Sequence, residues 1–211
     1  IILDQMSSGN FCVPTDHTLS FNPLSIDSAI TTSTLTFTQS GVSVTAYGYA
    51  ITSSGNVLTN LYYKNTGEDE CGLGISAPAG SAANEINSKS FIQLDFSDIT
   101  SKLAPETVPT LTIDSVQSPT SGSYQIYGSN TKGSLGDLLV SGAKHTQTSP
   151  WPITVHGNHQ TFTLPSFDSE SPYKYFSVTA TPDTDSDVIL ATLGYTSCDV
   201  DGVAAVSYTH L

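Results

Sequence analysis

The feature that most constrains this chain is a two-residue beat of apolar and polar side chains, repeated along its length with no sustained helical stripe. Thr31–Thr38 (TTSTLTFT) alternates, Gly41 interrupts, and Val42–Ile51 (VSVTAYGYAI) alternates again. A period of two sends successive side chains to opposite faces, so each run buries one face and presents the other. Ser53–Asn56 reads as a turn, and Val57–Lys64 (VLTNLYYK) as the next strand of an antiparallel meander. Phe91–Phe96, Thr110–Gln117, Ser123–Tyr127, Leu138–Val140, Gln160–Leu164, Tyr173–Ala180 and Val188–Tyr195 follow, bounded mostly by Pro, Gly or Ser. Only Asp98–Leu103 offers a helical turn, which Ala104-Pro105 ends. The expected fold is all-β, an antiparallel β-sandwich or jelly roll, in one domain over residues 1–205. Residues 206–211 (VSYTHL) follow a polar stretch and read as a non-native tail, so His210 is set aside. The start at Ile1, without Met, reads as a mature or trimmed end.

Charge narrows the partners. Nineteen acidic residues face six basic ones, a formal net charge of −13, and all six basic residues are lysines. Phosphate recognition leans on arginine forks and clustered positive charge, so nucleic acid and anionic lipid are excluded as expected partners. Only 12% of residues are charged, while Ser and Thr abound, the balance of an exported β protein with hydroxyl-bearing strand faces. An acidic surface also offers oxygen ligands to hard cations such as Ca²⁺. No apolar run reaches the length of a membrane span.

The three cysteines, Cys12, Cys71 and Cys198, form no C-x-x-C pair, which sets aside zinc and thioredoxin-like readings. Cys12 and Cys198 lie near the two ends, and terminal strands of a sandwich often run side by side. A Cys12–Cys198 disulfide in an oxidising compartment is one reading and three free thiols the other.

The richest stretch for chemistry is Asn65–Asp95, which carries Glu68, Asp69, Glu70, Glu85 and Asp95 with Asn65, Asn84 and Asn87 among them. Clustered carboxylates repel one another, and a bound Ca²⁺ turns that repulsion into attraction. Asp69, Glu70, Glu85 and Asp95 are the candidate ligands; the alternative is a solvated acidic loop. The segment Leu61–Ile75 (LYYKNTGEDECGLGI), then Asn84-Glu85-Ile86, then Phe91-Ile-Gln-Leu-Asp95, resembles a pattern of exported bacterial PEP-CTERM-type proteins. The resemblance continues through Tyr124–Gly133 (YQIYGSNTKG) and Leu138–Gly142 (LLVSG), and covers roughly residues 55–198. It implies an exported surface or matrix protein. The Pro-Glu-Pro motif, sorting helix and basic tail of that family do not occur in these residues.

Tyr124–Asn130 also resembles, over a short span, a strand and turn of discoidin-like jelly-roll modules, many of which bind glycans. Aromatic rings stack on sugar faces, and Tyr47, Tyr49, Tyr62, Tyr63, Trp151 and Tyr173 are candidates. Trp151, held between prolines, and Tyr63 are the preferred ligand-binding residues. His156 and His159 bracket a tight turn and read as a plain hairpin, with no carboxylate or cysteine beside them in sequence. No Gly-x-Ser-x-Gly elbow occurs. These observations describe a secreted or cell-surface, non-catalytic module, calcium-stabilised, with an adhesive, matrix or structural role. Its expected partners are extracellular polysaccharide, matrix or further copies of itself. The alternatives are a dedicated carbohydrate-binding module and a glycan-active enzyme using Glu70 or Glu85.

Overall fold

Two antiparallel sheets pack face to face in the computed structural model, which describes residues 12–67, 70–104, 106–116, 124–143, 146–147, 153–156, 159–164, 173–182 and 186–199. The side chains of 143, 146–147, 153–156 and 199 stand outside that description. In chain order the first strands are β1 (Val13–Ser20), β2 (Ser28–Ala29), β3 (Thr34–Gln39), β4 (Val42–Thr52), β5 (Gly55–Leu58), β6 (Leu61–Asn65), β7 (Cys71–Ile75) and β8 (Ile86–Asn87). They continue as β9 (Ser90–Asp95), β10 (Thr110–Asp114), β11 (Tyr124–Ser129), β12 (Asp137–Ala143), β13 (Thr146–Gln147), β14 (Ile153–His156), β15 (His159–Thr163), β16 (Tyr175–Ala180) and β17 (Asp187–Asp199). The first sheet runs β14-β15-β10-β17-β7-β6-β2, with β1 and β8 also paired to β17. The second runs β13-β12-β11-β16-β9-β4-β3, with β5 paired to β4. A single 3₁₀ turn at Ile99–Ser101 is the helical piece among the described residues.

The alternating pattern becomes layers. On β4, Val42, Val44 and Ala46 are buried, while Ser43, Thr45 and Tyr47 stand on the opposite face, half-exposed. Cross-strand rows carry the inward face across each sheet: Ala46–Leu94–Phe176 in the second, Leu19–Leu193–Leu111–Phe162 in the first. All of these belong to one apolar cluster. Each fully buried Leu or Phe of this kind stabilises by about 1.5–3 kcal/mol. The β3–β4 hairpin closes through Ser40 and Gly41, both with left-handed φ (49° and 74°). Two consecutive left-handed residues give a turn whose twist matches that of the flanking strands, and glycine takes the second position without strain.

The expected strand Val57–Lys64 is two strands. β5 pairs with β4 in the second sheet, and β6 pairs with β7 in the first. At the switch, Thr59 N donates to Gly48 O and Leu61 N to Thr32 O, so the backbone stays bonded as it crosses. Unbroken β propensity hides such a change of sheet, because the two-residue beat says nothing about which neighbour a strand chooses.

Strand β17 is the spine. Residues 189–194 pair with β10 along one edge, and residues 192–199 pair with β1 along the other. Cys12, just ahead of β1, is joined by a disulfide to Cys198, close to the end of β17, with a Cα separation of 4.8 Å. The bridge spans 186 residues, nearly the whole chain, and so restricts the unfolded ensemble strongly. Cys71 is the free cysteine, half-buried, its thiol pushed up by burial first and by Asp114 second. Cys198→Ser is expected to destabilise by about 2–5 kcal/mol, read from denaturant unfolding. An unchanged midpoint would show that β1 is held by strand pairing alone.

Candidate functional site

The outward face of the second sheet concentrates aromatic and polar side chains. Pairing sets Tyr47 beside Gln93 and Gln93 beside Ser177, which in turn lies beside Tyr127. The next row is Thr45, Asp95 and Tyr175. A third places Tyr49 against Phe91, their rings stacked with centroids 4.9 Å apart. Two hydroxyls on this face, those of Tyr49 and Tyr175, have their pKa pushed up, with Tyr47 adding to the effect at both. For Tyr49 and Tyr175 burial is the larger cause, and Asp95 adds to the effect at Tyr175.

The β11–β12 connection is strapped across this face. Gln93 is fully buried and holds the strap with both ends of its amide: Gly133 N donates to Oε1 (2.7 Å), and Nε2 donates to Ser134 O (2.8 Å). Asn56 Nδ2 donates to Gly133 O, and Asn130 Oδ1 accepts from Lys174 N. Lys132 Nζ lies 3.7 Å from the centre of the Tyr47 ring, a cation–π contact. Tyr49 and Gln93 are thus covered, whereas Tyr47, Tyr175, Asp95 and Thr45 stay part-exposed at the margin of the strap. The result is a rigid ledge of two tyrosines with a carboxylate, a hydroxyl and an ammonium around it.

The acidic stretch resolves differently. It contains a strand, β7, buried at Gly72–Ile75, rather than one long connection. Glu70 closes a tight turn: Thr66 Oγ1 donates to its carboxylate, Thr66 N to its carbonyl, and Glu70 N to Gly67 O. Asn65 Nδ2 donates to Ser25 O, Asn84 Oδ1 accepts from Ala77 N, and Asn87 Oδ1 accepts from Lys89 N. Glu85 is buried at 3% exposure. Its Oε1 lies 3.5 Å from Lys64 Nζ, and its Oε2 accepts from Ser115 Oγ at 2.9 Å. Lys64 is buried too, and Nζ also donates to Ala83 O. Burial, then the charge of Asp187, pushes the Glu85 carboxyl up to about 7; Ser115 and Lys64 pull against that shift, and Glu70 adds to it.

Of the candidate calcium ligands, Asp95 stands on a different sheet from the segments that carry Glu70 and Glu85. Asp95 is on the second sheet, where its Oδ1 accepts from Ser97 N. Glu85 faces an ammonium, Glu70 sits in its own turn, and Asp69 lies outside the described residues. Among the described residues no three His, Cys, Asp or Glu side chains are arranged to hold an ion. Trp151 also lies outside the described residues. Tyr63 is half-buried and lines a cavity of about 300 Å³ with Leu19, Pro23 and Phe37. Tyr173 donates to Asp137 at the edge of β12.

Two histidines have acquired partners that sequence spacing did not show. His159 lies in the expected hairpin, but its Nδ1 meets the buried carboxylate of Asp114, 45 positions away. The expectation of no nearby carboxylate holds only along the chain, because β10 and β15 are paired in the first sheet. His17 Nε2 is 2.8 Å from Ser197 Oγ, and its Nδ1 is 3.1 Å from Ser40 Oγ. The group facing Nδ1 is thus a hydroxyl in place of the carboxylate that a Ser-His-Asp arrangement uses to orient the imidazole.

No family model, curated protein or solved structure matches the chain. The reading of function rests on its own geometry.

Gln93→Ala is expected to leave Gly133 N–H and Ser134 C=O without their side-chain partner, at a cost of about 1–3 kcal/mol. Hydrogen exchange at residues 130–136 should quicken well before global unfolding. Unchanged protection there would mean that Gln93 does not hold the strap.

Proposed function

We propose that this chain is an exported, non-catalytic module that binds a neutral polysaccharide on the tyrosine ledge of its second sheet. One observation carries the reading: Tyr47 and Tyr175 flank Asp95 and Thr45 on a face held rigid from beneath by Gln93. A sugar ring offers axial C–H groups to an aromatic face and hydroxyls to carboxylates, side-chain hydroxyls and ammonium groups, and the ledge has each of these. Tyrosine loses little conformational entropy on binding, since it has two side-chain torsions, so a pre-set pair recognises a weakly polar surface efficiently. With a net charge of −13, the chain repels anionic polymers over long distances, which favours an uncharged glycan.

Export is supported by the Cys12–Cys198 bridge, since disulfides persist in oxidising compartments, and by the low charge fraction with abundant hydroxyls. A non-catalytic role is supported by the state of the carboxylates. Glycoside hydrolysis needs two of them flanking the scissile bond. Glu85 instead faces Lys64 and Ser115 in a buried setting, and Glu70 is tied into a turn. An ion at Glu85 would have to displace the Lys64 ammonium, so calcium has no part in this reading at Glu85.

Isothermal titration against soluble neutral β- and α-glucans, xylans and mannans tests the ledge. Tyr175→Ala and Tyr47→Ala should each weaken binding about 5–10-fold, as expected for about 1–1.5 kcal/mol per ring, with melting temperature little changed. Silence of the wild type across these glycans would end the reading. Binding lost in Trp151→Ala but kept in Tyr175→Ala would move the site elsewhere.

A further inference from the structure

We infer that Lys64 and Glu85 close on each other covalently, the Lys64 amine and the Glu85 carboxyl condensing to an isopeptide bond with release of one water. Nζ lies 3.5 Å from Oε1, and the two side chains are 9% and 4% exposed, so they face each other where bulk water hardly reaches. Each is aimed by independent contacts. Lys64 Nζ is held by Ala83 O (2.9 Å), two residues before its partner. Glu85 ends a knitted loop: Ser81 N donates to Glu85 O, Glu85 N to Ser81 Oγ, and Asn84 N to Ser81 O. Gly74 lets that loop seat against β7, since a Cβ there would stand 2.1 Å from Asn84 O. Fixing amine and carboxyl in this way makes a slow bimolecular condensation effectively unimolecular, with effective molarities of about 10⁵ M or more for well-aligned groups.

The surroundings supply the remaining chemistry. An ammonium–carboxylate pair and an amine–carboxylic acid pair differ only by one proton moved between Nζ and the carboxyl, and a dry site favours the neutral pair. Burial keeps the Glu85 carboxyl protonated up to about pH 7, and a carboxylic acid, unlike a carboxylate, is an electrophile. Ser115 Oγ donates to Oε2, the oxygen that gathers negative charge as Nζ attacks Cδ. The Nζ–Cδ bond forms and the Cδ–Oε1 bond breaks. Oε1 leaves with two protons, one from the amine and one from the acid, and the amide is left uncharged. No oxidant or other reagent is required.

Intact mass spectrometry of the full chain, folded and held at neutral pH, then denatured and reduced, tests this directly. The expected mass is that of the sequence less one water, and a protease digest should contain a branched peptide joining the segments that hold Lys64 and Glu85. Lys64→Arg, which keeps a cation at the site but cannot condense in the same way, should show the full sequence mass. Wild-type protein at the full sequence mass would overturn the inference whatever the variant does. So would a lost water without the Lys64–Glu85 branched peptide, since aspartyl dehydration elsewhere removes the same mass.

Discussion

Strand β17 is paired along both edges, and the rest of the sandwich is positioned from it. Its central residues are shared between β10 on one side and β1 on the other, and β10 cannot slip register without also breaking its ladder with β15. A slip of one residue would turn Leu193 out of the core and Gly194 into it. Beyond the reach of β1, the same strand meets β7 at Leu190 and β8 at Asp187 and Val188. The disulfide fastens the far end of this ladder, where strand ends otherwise fray. A single 13-residue strand thereby orders segments that lie far apart in the chain.

From β17 the order passes outward to the functional face through β7, β6 and the crossing at Thr59–Asn60 into β5 and β4. The second sheet then gains its distinct outer surface because β9 is buried on both faces. Ser90, Ile92 and Leu94 alternate with Phe91 and Gln93, and all five are buried. A strand covered on both sides needs something to cover its outer face, and here the cover is the β11–β12 strap. A buried glutamine amide is tolerable only when its donor and acceptor are both met, so Gln93 fixes the place of the strap as firmly as the strap shields Gln93. The tyrosine ledge is the rim of that arrangement.

Much of the scaffold is legible in the sequence, and the limits are physical. The alternation in Val42–Ile51 and Phe91–Phe96 identifies strands and their inward residues, because period two is a local property of extended backbone. β7 escapes the same test: Cys-Gly-Leu-Gly-Ile is buried along most of its length and glycine-rich, so it has neither alternation nor side-chain bulk to announce a strand. β1 escapes because Pro14, Asp16 and His17 dilute the beat. Proximity in sequence does not carry over to the described carboxylates of the acidic stretch: Glu70 lies in a turn, Glu85 in a buried pair and Asp95 on the second sheet. The partners that matter most, Gln93 with Gly133, Ser115 with Glu85 and His159 with Asp114, are 40, 30 and 45 positions apart. Such pairings follow from topology, and composition carries no trace of them.

The buried Lys64–Glu85 pair is also unexplained by stability alone. Taking an ammonium and a carboxylate out of water costs several kcal/mol for each ion, and the attraction between them often does no more than offset this. A pair of apolar residues of the same volume would serve the core as well or better. What apolar residues would not supply is direction. Lys64 on β6 reaches Ala83 O and the Glu85 carboxyl, and Ser115 after β10 reaches the same carboxyl, so three segments meet at one buried polar point. A hydrophobic contact tolerates sliding, whereas this one is satisfied in a single arrangement. Covalent closure would extend the same logic by converting a costly charge pair into a neutral amide. That amide would tie β6 to the 76–85 loop where Gly74 allows close approach, leaving the two ends of the chain to the disulfide.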